Sequence, residues 1–174
     1  MKRTILLIVA VVAFMGVGKA QADAKFGVNV DWNKFKNSSR GDWGLGARVA
    51  FGGGGVDFTT GFDYFFVDAG SFFKDTSNKS GLDLKFWELM ENVTYTVPTE
   101  AVRPYFGGGI DYSRRSFNDA FSGFFDNTKN RVGFNVLGGL KFGTGTQGFI
   151  EARGTFYSGT AFNDRFIISG GVLF

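Results

Sequence analysis

The stretch that decides the fold is Phe26-Gly27-Val28-Asn29-Val30-Asp31-Trp32, in which large apolar residues alternate with small or polar ones. Successive side chains of a β-strand point to opposite faces, so a period of two places the apolar residues of this stretch on one face. Seven further runs along the chain show the same alternation. The sequence therefore predicts an all-β protein in which each strand has one apolar face.

The eight runs are joined by connections of two alternating lengths. The runs cover residues 26–32, 43–51, 56–66, 87–97, 105–112, 132–142, 150–156 and 166–174. Longer connections fall at about 33–42, 67–80, 114–130 and 158–164, and short ones at 52–55, 98–103 and 143–147. Long loops at one end and tight turns at the other are typical of an outer-membrane barrel with its turns in the periplasm. The predicted fold is an eight-stranded antiparallel up-and-down transmembrane β-barrel.

The polar face of the strands separates a membrane barrel from a soluble one. A soluble sandwich or lipocalin-like barrel turns its apolar face inward and exposes a polar surface. Here the polar face carries charges at mid-strand among many small residues, which suits a narrow polar lumen. Aromatic residues recur at the strand ends of the apolar face, as an interfacial girdle requires, at Trp32, Trp43, Phe51, Phe66, Phe142 and Phe174. The pattern favours the membrane barrel and leaves the soluble barrel as the alternative.

The first 22 residues have the layout of a secretory signal peptide. A basic start, Met1-Lys2-Arg3, precedes an uncharged apolar run over 4–18 and a small-x-small motif at Ala20-Gln21-Ala22. The chain has 19 basic and 16 acidic residues, and three of the basic ones lie in this segment. Residues 23–174, the predicted barrel domain, are therefore balanced in charge, which argues against nucleic acid as a partner.

The charges of the polar face are the main candidates for a functional site. The predicted lumen network consists of Arg48, Asp63, Glu88, Asp111, Lys141, Glu151 and Arg153. One interpretation is a polar conduit or binding site. The other, which we favour, is a salt-bridged core, because an eight-stranded interior is narrow enough to be filled by side chains and buried charges must pair.

Glu91 interrupts the alternation of the fourth run. It falls on the apolar face, where a charge near the middle of the bilayer would cost about 2–4 kcal/mol. Either a bulge shifts the register at this point, or the residue sits near a rim of the barrel. The sequence leaves both alternatives open.

Two motifs resemble those of the small outer-membrane β-barrel superfamily, which includes OmpA-like transmembrane domains, OmpX and OmpW. The last strand places Phe166, Ile168, Val172 and Phe174 on one face and resembles the C-terminal signature of such barrels. The segment 97–112, with Pro98, Pro104 and a Gly107-Gly108-Gly109 tract, resembles the hairpin between their fourth and fifth strands. The resemblance implies a location among outer-membrane lipid and lipopolysaccharide, and a C-terminal strand that the barrel-assembly machinery reads.

The composition excludes several kinds of active site. The chain has no His and no Cys, so a Ser-His nucleophile or a Cys/His metal site cannot be built, and we expect no metal, other cofactor or catalytic residue. Residues 143–148 match G-x-G-x-x-G, but a strand follows where a dinucleotide site needs a helix. The lipid A-modifying enzymes among the small outer-membrane barrels that this chain resembles rely on an essential His. We therefore predict a non-enzyme, with an Asp/Glu-only hydrolase as the remaining enzymatic alternative.

The long connections supply candidates for interaction. Basic residues mark the first and aromatic ones the next two: Lys34, Lys36, Arg40, Phe72, Phe73, Phe121, Phe124 and Phe125. Such side chains could hold a partner, order the loops or sit among lipid phosphates. We expect a structural or surface-interaction protein on a Gram-negative cell surface, acting through four extracellular loops. The alternative is a narrow, porin-like channel or carrier for a small solute, including an apolar one, similar to OmpW.

Overall fold

The computed structural model describes residues 24–36, 38, 40–68, 83–118, 128–158 and 164–174. These residues form eight strands: β1 (Lys25–Phe35), β2 (Asp42–Gly53), β3 (Val56–Asp68), β4 (Asp83–Thr96), β5 (Val102–Asn118), β6 (Thr128–Phe142), β7 (Gln147–Tyr157) and β8 (Arg165–Leu173). Each strand pairs antiparallel with the next, and β8 pairs with β1 to close the barrel. The predicted eight-stranded antiparallel barrel is confirmed. Across the described ranges, helices of the length and apolarity needed to cross a membrane do not occur.

The barrel closes where the first and last strands meet. Backbone hydrogen bonds join Phe26 and Phe174 in both directions, with N···O distances of 3.3 and 2.7 Å. From there the register runs from Gly27 opposite Leu173 to Phe35 opposite Arg165. A closed ring of strands satisfies the backbone groups of the wall within the wall, as the interior of a bilayer requires.

Burial alternates along the strands as the sequence pattern predicts. On β1 the apolar Val28 and Val30 face outward and are exposed, whereas Asn29 and Asp31 between them point inward and are buried. The same arrangement recurs around the barrel, so that large apolar side chains form its outer surface. An apolar exterior around a polar interior suits lipid, and it is the reverse of a soluble barrel.

The turn between β2 and β3 accounts for one glycine tract. Gly54 and Gly55 have positive φ angles of 66° and 90°, which residues with a side chain rarely adopt. Positive φ at both positions is the geometry of a tight two-residue hairpin turn. The backbone N of Thr96 donates to Gly55 O at 2.7 Å, so this turn is tied to the next one, after β4.

All eight strands extend further at the loop end than the alternation predicted, and β1, β4, β5 and β6 do so by three residues or more. The predicted connection at 114–130 shortens because backbone pairing, up to Ser116 opposite Thr128, continues beyond the apolar pattern. Lys34 was predicted in the first loop, and this placement is wrong: it lies in β1 with its side chain exposed and facing outward.

Several predicted features lie outside the described residues. They are the signal peptide at 1–22 and the loop residues Phe72, Phe73, Phe121, Phe124 and Phe125. Cleavage of the signal peptide and the roles of these aromatic side chains stay predictions.

Both alternatives for Glu91 are wrong. Pairing runs unbroken on both sides of β4, with Glu91 opposite Thr60 and Ile110, so β4 has no bulge here. The residue is also not near a rim, since it lies midway between the outer-face aromatics Trp87 and Tyr95. Instead, Thr60 Oγ1 donates a hydrogen bond to a Glu91 carboxyl oxygen at 2.9 Å. A polar neighbour on the adjacent strand therefore accommodates the acid.

Candidate functional site

The interior of the barrel is the candidate site, because it gathers the charged side chains. The structure places all seven residues of the predicted network inside and buried: Arg48, Asp63, Glu88, Asp111, Lys141, Glu151 and Arg153. We distinguish two halves of this interior. The loop-end half surrounds Arg153 and Arg165, toward the long connections, and the turn-end half surrounds Arg48 and Lys141, toward the short turns.

Arg153 on β7 is the centre of the loop-end half. Its Nη2 lies 2.8 Å from Asp63 Oδ2 on β3 and 2.5 Å from Glu88 Oε1 on β4. All three side chains are at most 1% exposed. The guanidinium also contacts the sulfur of Met90. One cation shared by two carboxylates thus links opposite parts of the wall, where an ordinary domain would have an apolar core.

Asn29 on β1 connects the two halves. Its Nδ2 donates to both carboxyl oxygens of Asp31 at 2.8 Å and to Asp63 Oδ1 at 3.1 Å. Its Oδ1 accepts from Arg48 Nε at 3.1 Å. A single amide therefore joins the acids of the loop-end half to a cation of the turn-end half.

Arg48 on β2 meets Glu151 on β7 in the turn-end half, with 3.4 Å between Nη1 and Oε2. The Tyr105 hydroxyl donates to the same carboxyl oxygen at 2.9 Å. The Arg48 guanidinium carbon lies 4.3 Å from the centre of the Phe149 ring, within the range of a cation–π contact. Tyr105 therefore holds the acid of this ion pair, and Phe149 holds its base.

Lys141 and Asp57 form the ion pair nearest the short turns, with 2.6 Å between Nζ and Oδ2. Their side chains are 10% and 27% exposed, because they border a cavity of about 580 Å³ that opens at the turn end. Beyond it, beside Arg48 and Tyr105, lies a second cavity of about 20 Å³, enough for roughly one water molecule. The turn end of the lumen is therefore wet, and the space narrows sharply above it.

Arg165, at the start of β8, was missing from the predicted network. It pairs with Glu88, and its guanidinium carbon lies 4.8 Å from the ring centre of Phe86 and 5.4 Å from that of Phe65. These rings belong to a buried apolar cluster that closes the loop-end half: Phe35, Phe65, Val67, Phe86, Tyr157 and Ile167. Strand parity could have identified these residues, because Arg165, Phe65 and Phe86 alternate with the outward-facing residues of their strands.

Asp111 faces inward on β5, and hydroxyl groups surround its carboxylate. Ser113 Oγ donates to Asp111 Oδ1 at 3.2 Å, and the hydroxyls of Ser113 and Tyr157 are 2.8 Å apart. Asp111 is therefore connected to the aromatic cluster through a chain of hydroxyls.

The carboxylates of the loop-end half are enclosed by the protein. A catalytic acid or base must reach a substrate, whereas Asp63 and Glu88 are fully enclosed and occupied by Arg153. In the part of the chain that the structure describes, no three acidic side chains are grouped so as to hold a metal ion.

The outer surface carries the remaining predicted residues. Phe166, Ile168 and Val172 of β8, and Phe174 directly after it, all face away from the lumen. Lys36 follows β1 directly, is 70% exposed, and has its Nζ 3.6 Å from Asp164 Oδ2. Arg40 is exposed in the same connection. Basic side chains thus gather at the loop end, close to the seam between β1 and β8.

Comparison with known protein families assigns the chain. The outer membrane protein beta-barrel domain family matches residues 5–172, so the chain belongs to this family, whose location is the outer membrane. Among curated proteins there is no matching sequence.

Solved structures show the same fold. The neisserial surface protein NspA is 15% identical with a TM-score of 0.64, over 86% of this chain and 94% of that one. The N-terminal barrel of Pseudomonas aeruginosa OprF is 11% identical with a TM-score of 0.58, over 87% and 100% of the two chains. Ail of Yersinia pestis is 11% identical with a TM-score of 0.53, over 86% and 94%. Identities this low show the fold alone.

Proposed function

We propose that this outer-membrane β-barrel protein is a closed, non-enzymatic scaffold with a structural or surface-interaction role, exercised through its loop end. The observation that carries the proposal is the burial of the loop-end half. Arg153, Asp63 and Glu88 face the lumen, yet they are at most 1% exposed. A water-filled passage through this layer would expose these charged atoms to solvent.

The apolar cluster supports the same conclusion. Phe65, Phe86 and Ile167 also face the lumen and are fully buried. A solute moving through this level would have to displace the rings and separate Arg165 from Glu88. Leaving either charge unpaired in a dry interior costs several kcal/mol, so the closed state is strongly favoured.

A narrow channel or carrier is the second candidate, and the cavity at the turn end favours it. Its volume of about 580 Å³ and its lining by charges of both signs, among them Lys25, Glu100 and Arg103, suit a small polar solute. Above it, however, Tyr105 and Phe149 are buried across the lumen. Among the described residues these two rings close the inner end of the cavity. A carrier would need them to move.

The non-enzymatic part of the proposal rests on the residue types present. The chain has no His, and the interior carboxylates accept hydrogen bonds from Arg, Asn and Tyr side chains of the barrel itself. A group already satisfied by its own protein and shielded from substrate is poorly placed as a general acid or base.

The loop end is the expected place of contact with a partner. Exposed Lys36 and Arg40 lie there, and the predicted aromatic residues belong to the two connections at 69–82 and 119–127. Ail, a barrel of the same fold, is named the attachment invasion locus protein, so this architecture is compatible with a role at a surface. The ion-paired interior would hold the strand ends that carry these connections in fixed relative positions.

Conductance across a planar bilayer tests the closed lumen. We expect the refolded wild-type protein, with its folding verified by an unheated gel shift, to produce no single-channel steps. A general-diffusion porin in the same bilayer shows that channels would be detected. Stable steps from the wild-type protein would contradict the closed scaffold and favour the channel.

A further inference from the structure

A groove on the outer wall of the barrel lies at the loop end, where β7, β8 and β1 run side by side. Its volume is about 380 Å³. The outer part of its lining consists of Lys34, Lys36, Gly154, Phe156, Asp164 and Phe166. Its inner edge is formed by Phe35 and Arg165, which are buried and belong to the closed loop-end half of the lumen.

The floor of the groove is an apolar slot at Gly154, which has no side chain. Phe166 on β8 lies opposite Gly154 on β7 and opposite Lys34 on β1, and all three positions face outward. Residue 154 has no side chain, and the half-exposed rings of Phe156 and Phe166 border the space that a side chain would occupy. An apolar slot of this kind on the outer face of the wall suits an acyl chain.

The rim of the groove is basic. Lys34 is exposed and pairs with no acid among the described residues, and Lys36 is 70% exposed. Asp164, the one acid among the described residues of the lining, has its Oδ2 3.6 Å from Lys36 Nζ and offsets one of the two charges. The rim therefore keeps a net positive charge at the level where the head groups of the outer leaflet begin.

We propose that this groove binds one phosphorylated lipid of the outer leaflet, with a phosphate on Lys34 and Lys36 and an acyl chain in the slot over Gly154. Two adjacent ammonium groups attract phosphate, and the apolar slot below them takes the part of the ligand that water excludes. A free phosphate ion would use the rim only. The proposal depends on the outer-membrane location but not on whether the lumen conducts.

Lys85 provides a matched control on the other side of the barrel. It is also an exposed lysine, faces outward from the loop end of β4, and lies opposite a phenylalanine, Phe66. It does not line the groove. Lys34 and Lys85 therefore share charge, exposure, a position toward the loop end and an aromatic neighbour, and only Lys34 lines the groove.

Gly154 allows the slot to be filled without disturbing the wall. A Cβ at this position would meet only side-chain atoms, Phe156 Cζ at 3.5 Å and Val136 Cγ2 at 3.9 Å among them, which is ordinary contact. Gly154→Leu should therefore fold, keep both lysines and occupy the space intended for the acyl chain.

The experiment measures lipid retained by the refolded protein in native mass spectrometry, with bisphosphorylated lipid A as the probe. We expect Lys34→Glu to weaken retention by about tenfold, since it replaces attraction to phosphate with repulsion. Gly154→Leu should lower retention by a similar factor, and Lys85→Glu should leave it unchanged. The dephosphorylated lipid and inorganic phosphate should each bind the wild-type protein much more weakly than the intact probe.

Three results would overturn the proposal. One is equal retention by Lys34→Glu and Lys85→Glu, which would reduce the effect to general surface charge. Another is full retention of lipid A by Gly154→Leu, which would mean that no acyl chain occupies the slot. The third is equal binding of inorganic phosphate and lipid A. An unheated gel shift confirms that each variant is folded, so that loss of retention reports on the groove.

Discussion

The two halves of the lumen use the same kinds of residues under different conditions. In the loop-end half, Arg153 is shared by Asp63 and Glu88, and all three are sealed from water. In the turn-end half, Lys141 holds Asp57 at 2.6 Å beside an open cavity. The contrast shows that strand parity determines which side of the wall a charge faces, whereas its distance from water determines what its ion pair contributes.

The size of the neighbouring inward residues produces this difference. At the loop end, inward positions carry Phe65 and Phe86, which fill the space around Arg165. At the turn end, the cavity is lined by small residues such as Ala50 and Gly52. Large rings exclude water from one half, and small residues admit it to the other.

The largest expected effect comes from removing the shared cation. Arg153→Ala leaves the buried Asp63 carboxylate without its cation, while Glu88 keeps Arg165, and loss of one partner of a buried pair costs about 3–5 kcal/mol. We expect a correspondingly large fall in the urea midpoint of unfolding in detergent. Adding Asp63→Asn to the same chain should recover part of the loss, because the carboxylate that lost its cation is then replaced by a neutral amide.

Lys36→Ala is the matched control for this experiment. It breaks an ion pair of 3.6 Å whose lysine is 70% exposed, and such surface pairs contribute at most about 1 kcal/mol. Equal urea midpoints for Arg153→Ala and Lys36→Ala would contradict the paired polar core.

The sequence predicted the fold because period-two alternation is read directly from residue order, and eight such runs with alternating connection lengths leave few closed arrangements. It also predicted which charges face the lumen, since facing follows from parity alone. It did not predict partners. That Arg153 binds both Asp63 and Glu88 depends on how β3, β4 and β7 face one another across the lumen, which alternation within one strand does not contain.

Phe65, Phe86 and Glu91 lie in surroundings that alternation within one strand does not predict. Phe65 and Phe86 are buried at inward positions, whereas the pattern predicts aromatic residues at the strand ends of the lipid face. Glu91 lies on the lipid face, where the pattern predicts an apolar residue. Its hydrogen bond to Thr60 requires the register of two strands, and a single run offered only a bulge or a rim.

An intermediate effect is expected from filling a gap beside Asp63. Gly46 faces inward, and a Cβ there would overlap the Asp63 carboxylate and the Asn29 amide. Gly46→Ala should therefore lower the free energy of unfolding by about 1–3 kcal/mol, the usual cost of overpacking. Gly170→Ala is the control, since a Cβ at 170 meets no atom within 4 Å. If both alanines left the urea midpoint unchanged, the Asn29–Asp63 contact would not be tightly packed.

The smallest effect is expected at the turn end. Lys141→Ala removes a close ion pair and a cation 4.8 Å from the Tyr105 ring, but the freed Asp57 borders the open cavity and can be hydrated. We therefore expect a loss of only about 1 kcal/mol. Because water and salt reach this site, the loss should shrink as the salt concentration rises, whereas that of Arg153→Ala should stay constant. A loss as large as that of Arg153→Ala, and equally indifferent to salt, would mean that the turn-end half is as dry as the loop-end half.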